Sequence, residues 1–310
     1  MGKVLIGTCS WTDKELVASG KFYPHASMSA EERLRFYSDN FPLVEVDSTY
    51  YALPNERTAA LWAERTPRDF TFDVKAFRLF TGHWADKAAF PRDLQSEIGE
   101  VPQGKRGFYY KDVPDSIQTE LWRRFRASLT PLREAGKLGL VLMQYPSWVF
   151  PGTASKDLIL QAKEQLPDDR LAIEFRHRSW VDEKHRDDTL RFLRDNDLAF
   201  VSVDEPQGFA SSLPPLAVAT TDLAYVRFHG RNAATWEGKA ASSAMRFDWY
   251  YTSEEMGEWV PRIRDLQAQT REVHALMNTN RGDQGPANAR LLARLLQIPL
   301  GQEAPPPSAR

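Results

Sequence analysis

Apolar residues gather in eight short runs, at 3–11, 43–51, 70–77, 138–146, 171–180, 198–206, 223–231 and 271–280, and each run ends in polar residues. Between most of them apolar positions recur at three- and four-residue spacing, the pattern of a helix with one buried face. Ser29 with Glu32 reads as a capping box opening a helix that runs through Phe41. Asn55 caps a second helix carrying Ala59, Leu61 and Trp62, and Ser155 opens a third. Further helices are predicted over 116–135, 182–195, 253–269 and 286–297. Eight strands alternating with helices predict an α/β fold, a single (β/α)8 TIM-barrel variant over residues 1–300. The Pro-rich stretch 301–310 is expected to be a disordered tail.

Two stretches break the alternation. Residues 207–222, with their paired prolines, are too interrupted for a full helix and predict an irregular connection between strands 6 and 7. Residues 86–113 form an insertion punctuated by Gly and Pro, whose role the sequence leaves open.

Strand side chains alternate between faces, and the outward face of a barrel packs on helices. Valines and aromatics taken as outward leave Glu45, Asp47, Thr49, Asp73, Lys75, Gln144, Glu174, Arg176, Asp204, Arg227, His229, Asn278 and Asn280 pointing inward. Barrel chemistry sits at the C-terminal ends of strands, where most of these lie. The fifth run is the richest: Glu174 and Arg176 share a face, and burying them costs several kcal/mol of desolvation that leucine would avoid. A structural ion pair is the alternative reading of the same two residues.

Glu174, His229, Glu45 and Asp47 are the candidate catalytic residues, as proton carriers. Glu45 and Asp47 lie roughly 7 Å apart on one strand face. Arg176, Arg227 and Lys75 are candidate anion ligands, and Asn278 and Asn280 would donate hydrogen bonds to developing negative charge. Asp204, His83, Trp11, Tyr50 and Trp180 complete the candidate substrate site. Lys75 is also the residue type that forms Schiff bases, but the acids around it are expected to raise its pKa and oppose that role. His177, His185 and His274 read as structural, as does Cys9, the one cysteine. Residues 231–252, carrying Trp236, Trp249, Tyr250 and Tyr251, could fold over the barrel mouth as a lid.

The motifs resemble those of the DUF72 or YecE-like family: Ile6-Gly7-Thr8 with Ser10-Trp11, the run from Val44 to Tyr51 with Leu53-Pro54, Glu174 to Trp180, Tyr225 to Gly230, and Asn278 to Asn280 with Asn288-Ala289. Asp47 stands where that family usually has Asn, Met277 where an aromatic is common, and residues 86–113 look longer than usual. The resemblance implies a TIM-barrel variant and leaves the function open.

Forty basic against forty-two acidic residues give a net charge of −2 and no global field for a polyanion, so nucleic acid is disfavoured as a partner. No apolar stretch approaches the roughly 20 residues a bilayer span needs, and no signal-peptide pattern precedes the first strand, so no membrane association and a cytoplasmic location are expected. A Gly-x-Gly-x-x-Gly or P-loop signature is absent, and no cofactor is expected. A metal on Glu45, His83, Glu174, Asp204 and His229 would face three fixed cations; a dication about 6 Å from one of them meets roughly 5–6 kcal/mol of repulsion at an effective dielectric of about 20. The sequence therefore points to a metal-independent hydrolase or lyase acting on a small anionic or sugar- or nucleotide-like ligand. A metal-dependent phosphodiesterase of the endonuclease IV type and a non-catalytic small-molecule binding protein are the alternatives.

Overall fold

A computed structural model describes residues 1–238 and 242–301. The expected tail at 301–310 lies outside the described residues, apart from Gly301. Eight strands, β1 (Lys3–Thr8), β2 (Leu43–Val46), β3 (Thr71–Lys75), β4 (Leu138–Gln144), β5 (Leu171–Glu174), β6 (Leu198–Asp204), β7 (Leu223–Phe228) and β8 (Glu272–Met277), pair in parallel and in chain order. β8 closes on β1 through Lys3↔Glu272 to Thr8↔Met277, which makes the sheet a closed barrel. The helices are α1 (Lys14–Ser19), α2 (Ala30–Asn40), α3 (Glu56–Glu64), α4 (Asp115–Glu134), α5 (Thr153–Gln165), α6 (Arg186–Asp195), α7 (Ser243–Arg246), α8 (Ser253–Gly257), α9 (Trp259–Gln269) and α10 (Gln284–Leu296).

Local chemistry sets the helix starts. Ser29 and Glu32 form a complete capping box on α2, and the Asn55 side chain accepts from the Thr58 amide at the head of α3. α5 opens earlier than expected, after Gly152, so that Ser155 lies inside its first turn rather than capping it. The helix predicted over 253–269 is divided into α8 and α9. Pro261 lacks an N–H and its ring crowds the carbonyl four residues back, at Gly257.

Residues 205–222 cross from β6 to β7 without a helix. The 86–113 insertion is folded into short 3₁₀ turns and one bridge, Ala85 to Phe108. Phe90, Leu94, Ile98 and Phe108 are buried in it, and Phe90 meets Phe77 and Phe108 edge-on. Its contacts there are packing contacts. The lower barrel interior is filled by Tyr225 and the buried pair Asp73 and His274, with His274 Nδ1 2.8 Å from Asp73 Oδ2. Gly139 makes room for that carboxylate, since a Cβ there would sit 2.3 Å from Asp73 Oδ1.

Candidate functional site

Above this layer Arg227, on β7, is wholly buried and joins two carboxylates from across the barrel. Its Nη1 donates to Glu174 Oε2 at 2.5 Å and its Nη2 to Glu45 Oε1 at 2.8 Å. Tyr225 Oη donates to Glu45 Oε2 at 2.7 Å, so both oxygens of that acid are satisfied. Glu174 Oε1 accepts from Gln144 Nε2 at 2.7 Å, His229 Nε2 at 3.1 Å and Arg176 Nη1 at 3.2 Å. Burial alone would raise the Glu174 carboxyl, but Arg227 and the His229 N–H, with Arg176 behind them, hold it well below the usual range.

The tautomer of His229 follows from its neighbours. Asn278 Nδ2 donates to Nδ1 at 2.9 Å, so Nε2 carries the proton it gives to Glu174. Burial lowers the His229 pKa to about 3, keeping the ring neutral. Burial also pushes the Cys9 thiol up, 3.6 Å from Arg227 Nη2.

The strand ends open on a cavity of about 560 Å³ whose wall includes Asp47, Lys75, His83, Gln144, Arg176 and Asn278. Here the hydrogen bonding is incomplete. Among the described residues Lys75 Nζ has no hydrogen-bond or ion-pair partner, and it lies 4.5 Å from the centre of the Tyr50 ring. Its pKa is lowered by burial and by the Arg227 charge, which outweigh Glu45, Glu174 and Asp47. The sequence expectation is reversed because burial penalises the charged amine and Arg227 offsets the two glutamates. The Asp47 carboxyl likewise has no hydrogen bond from the described residues, and burial raises it to about 6 against the pull of Lys75.

Arg176 pairs through Nη1 with Glu174 and, at 3.0 Å, with Glu205, leaving its other nitrogens without acceptors among the described residues. Its guanidinium lies 4.8 Å from the Trp236 ring centre. Burial raises Glu205 to about 7 despite Arg176. Arg246, on α7, also lines the cavity, and its buried Nε has no partner among the described residues. His83 is held neutral, its pKa lowered to about 3 by burial and by Lys75. Thr81 gives its hydroxyl proton to the Arg78 carbonyl and accepts from His83 Nδ1 at 3.0 Å, which leaves Nε2 as an acceptor without a partner among the described residues.

Glu45, Glu174, Arg227 and His229 thus converge as a buried hydrogen-bonded network beneath the mouth, with Arg227 Nε left without a partner among the described residues, while Asp47, Lys75, His83, Arg176, Asn278, Asn280 and Tyr50 reach the cavity itself. Three expected site residues lie elsewhere. Asp204 points to the helix side, where it accepts from Trp259 Nε1, Tyr251 Oη and Arg231. β6 is buried on both faces, so its apolar pattern gave no phase, and Glu205 takes the inward place expected of Asp204. Trp180 is buried with its ring stacked on Phe175 at 4.1 Å and its indole N–H on the Val149 carbonyl. Trp11 packs edge-on to Trp62 at 5.6 Å, outside the cavity. The metal set imagined for Glu45, His83, Glu174, Asp204 and His229 is therefore divided, and no three His, Cys, Asp or Glu among the described residues are grouped to hold an ion.

From the 231–252 segment Trp236 and Phe247 pack beside His229, and Ser243 and Arg246 reach the cavity wall, so its described residues cover one side of the mouth. Sequence reasoning missed Arg246 and Glu205. A β6 phase fixed by the Val203↔Arg227 register would have found the second.

Residues 5–310 match the family described as "Protein of unknown function DUF72", and the chain belongs to that family. It is 30% identical over 306 residues to the UPF0759 protein YunF of Bacillus subtilis, covering 97% of this chain and 98% of that protein. A DUF72 family protein of Enterococcus faecalis superposes with a TM-score of 0.77 at 23% identity, over 97% of this chain and 99% of that one. One from Thermotoga maritima gives 0.72 at 27% identity, over 95% and 99%. These likenesses agree with the barrel, and the family's description leaves the activity open. No helix among the described residues is long and apolar enough to cross a membrane.

Proposed function

We propose that the mouth binds a small anionic molecule and carries out acid/base chemistry on it, as a hydrolase or lyase that needs no metal. The observation that carries this reading is that Lys75, Arg176 and Arg246 present nitrogens without acceptors among the described residues to one cavity. Cations held in such a place are stabilised by an incoming anion, and a guanidinium fork matches a carboxylate or phosphate in two hydrogen bonds. The cavity has the size of a metabolite site.

The proton carriers change with the geometry. Glu174 is locked by four donors and strongly ionised, so its part is to position Arg176 and His229. Asp47, without a hydrogen bond from the described residues and raised to about 6, suits a general acid or base at neutral pH, with the Nε2 lone pair of His83 as a second acceptor. Asn278 lies on the same wall with one amide hydrogen left to donate to developing charge, whereas Asn280 gives its amide hydrogens to Asp13 and Ser243 and presents only an oxygen. Calorimetric titration with phosphate, sulfate and pyruvate tests the binding, and screening phosphate esters and small carboxylic acids for new products tests the chemistry. Saturable binding that is lost in Arg176→Ala supports the anion site; binding with no turnover across the screen favours the non-catalytic protein.

A further inference from the structure

Lys75 is more than another cation in the mouth. Its backbone is fixed at the end of β3, where the Thr49 hydroxyl donates to the Lys75 carbonyl at 2.5 Å. The β2–β3 register runs Glu45↔Asp73 and Val46↔Val74, and its continuation sets Asp47 next to Lys75. The amine and this carboxyl share the cavity, and neither is engaged by hydrogen bonds from the described residues. Two strands further round, Arg176 offers donors to the same space. An amine, a proton carrier and an anion clamp are thus grouped around room for a small molecule.

We propose that Lys75 is an imine-forming lysine, whose Nζ condenses with the carbonyl of a small 2-oxo acid while Arg176 holds the carboxylate. The proposal rests on the anion-binding reading and adds a covalent step to it. The neutral amine uses its lone pair to form the C–N bond, and the carbonyl π pair moves to oxygen. That oxygen leaves as water, taking one proton from Nζ and one from the Asp47 carboxyl, as the remaining nitrogen pair closes the C=N⁺ bond. Asp47 is left ionised beside the iminium it balances. Burial and the Arg227 charge favour the neutral amine that the first step needs. The iminium then draws electrons from a neighbouring carbon, which suits lyase chemistry and needs no oxidant or reductant.

The test uses the whole wild-type protein. Incubation with pyruvate or glyoxylate at neutral pH, reduction with cyanoborohydride, digestion and peptide mass mapping should find one reduced adduct at Lys75. It should form about tenfold or more faster there than at any other lysine, and Lys75→Arg should lack it. Adducts spread over other lysines, or none at Lys75, overturn the imine. Lactate, which keeps the carboxylate and lacks the carbonyl, separates the two readings in calorimetry: lactate bound at the mouth while pyruvate and glyoxylate leave no adduct on Lys75 defeats the imine alone, and no binding of lactate or pyruvate defeats both.

Discussion

Arg227 Nη1 donates to Glu174 Oε2 across 2.5 Å inside the barrel, with both side chains withdrawn from solvent. Removing one member leaves the other as an uncompensated buried charge, which costs about 3–5 kcal/mol. Arg227→Met should therefore lower the unfolding free energy by that amount, read from urea titration with an unchanged slope. A loss under about 1 kcal/mol would mean that water reaches the network and screens it.

The Asp47 carboxyl gives a pH signature whose sign is fixed. Its folded pKa of about 6 stands above the ordinary 3.8, so the folded protein keeps this proton longer than the unfolded chain does. The contribution is full below about pH 4 and is lost as pH rises through 6. Asp47→Asn should remove that decline and gain about 1–3 kcal/mol at pH 7. Thermal melts from pH 4 to 8, compared as variant minus parent, check it; an unchanged difference would show Asp47 paired in solution.

Trp236 covers the Arg176 guanidinium and hydrogen-bonds through its indole N–H to Ser211 Oγ at 3.1 Å. An anion arriving at Arg176 should change its fluorescence. Trp236→Phe should keep most of the affinity and Trp236→Ala should lose about fivefold, matching a cation–π contact of roughly 1 kcal/mol.

The barrel was legible because strand and helix periods alternate without ambiguity over most of the chain. The inward phase was legible on β2 and β7, where Val44 and Val46, or Val226 and Phe228, mark the outer face around Glu45 and Arg227. It failed on β6, where Phe200, Val201 and Val203 make both faces apolar and nothing separates Asp204 from Glu205. Trp180 misled because the 3₁₀ turn Arg178–Trp180 carries its ring back onto Phe175. Nor could the state of Lys75 be read from neighbouring acids, since it depends first on its burial and then on Arg227, far along the chain.

Chelation bears on the metal-independent reading. Treatment with a strong chelator should leave the melting temperature and anion affinity unchanged, because the candidate donors are divided between the arginine network and the helix side. A stoichiometric divalent ion in untreated protein, whose removal weakens either, would restore the phosphodiesterase alternative.

The anion site itself is tested most directly by an anomalous difference map from crystals soaked in selenate. A selenium peak should lie in the mouth, within hydrogen-bond reach of Arg176 and Lys75, and should vanish in Arg176→Ala while titrations show affinity falling about 10- to 100-fold. Selenate found only on the outer surface, with the mouth empty at saturating concentration, would contradict it.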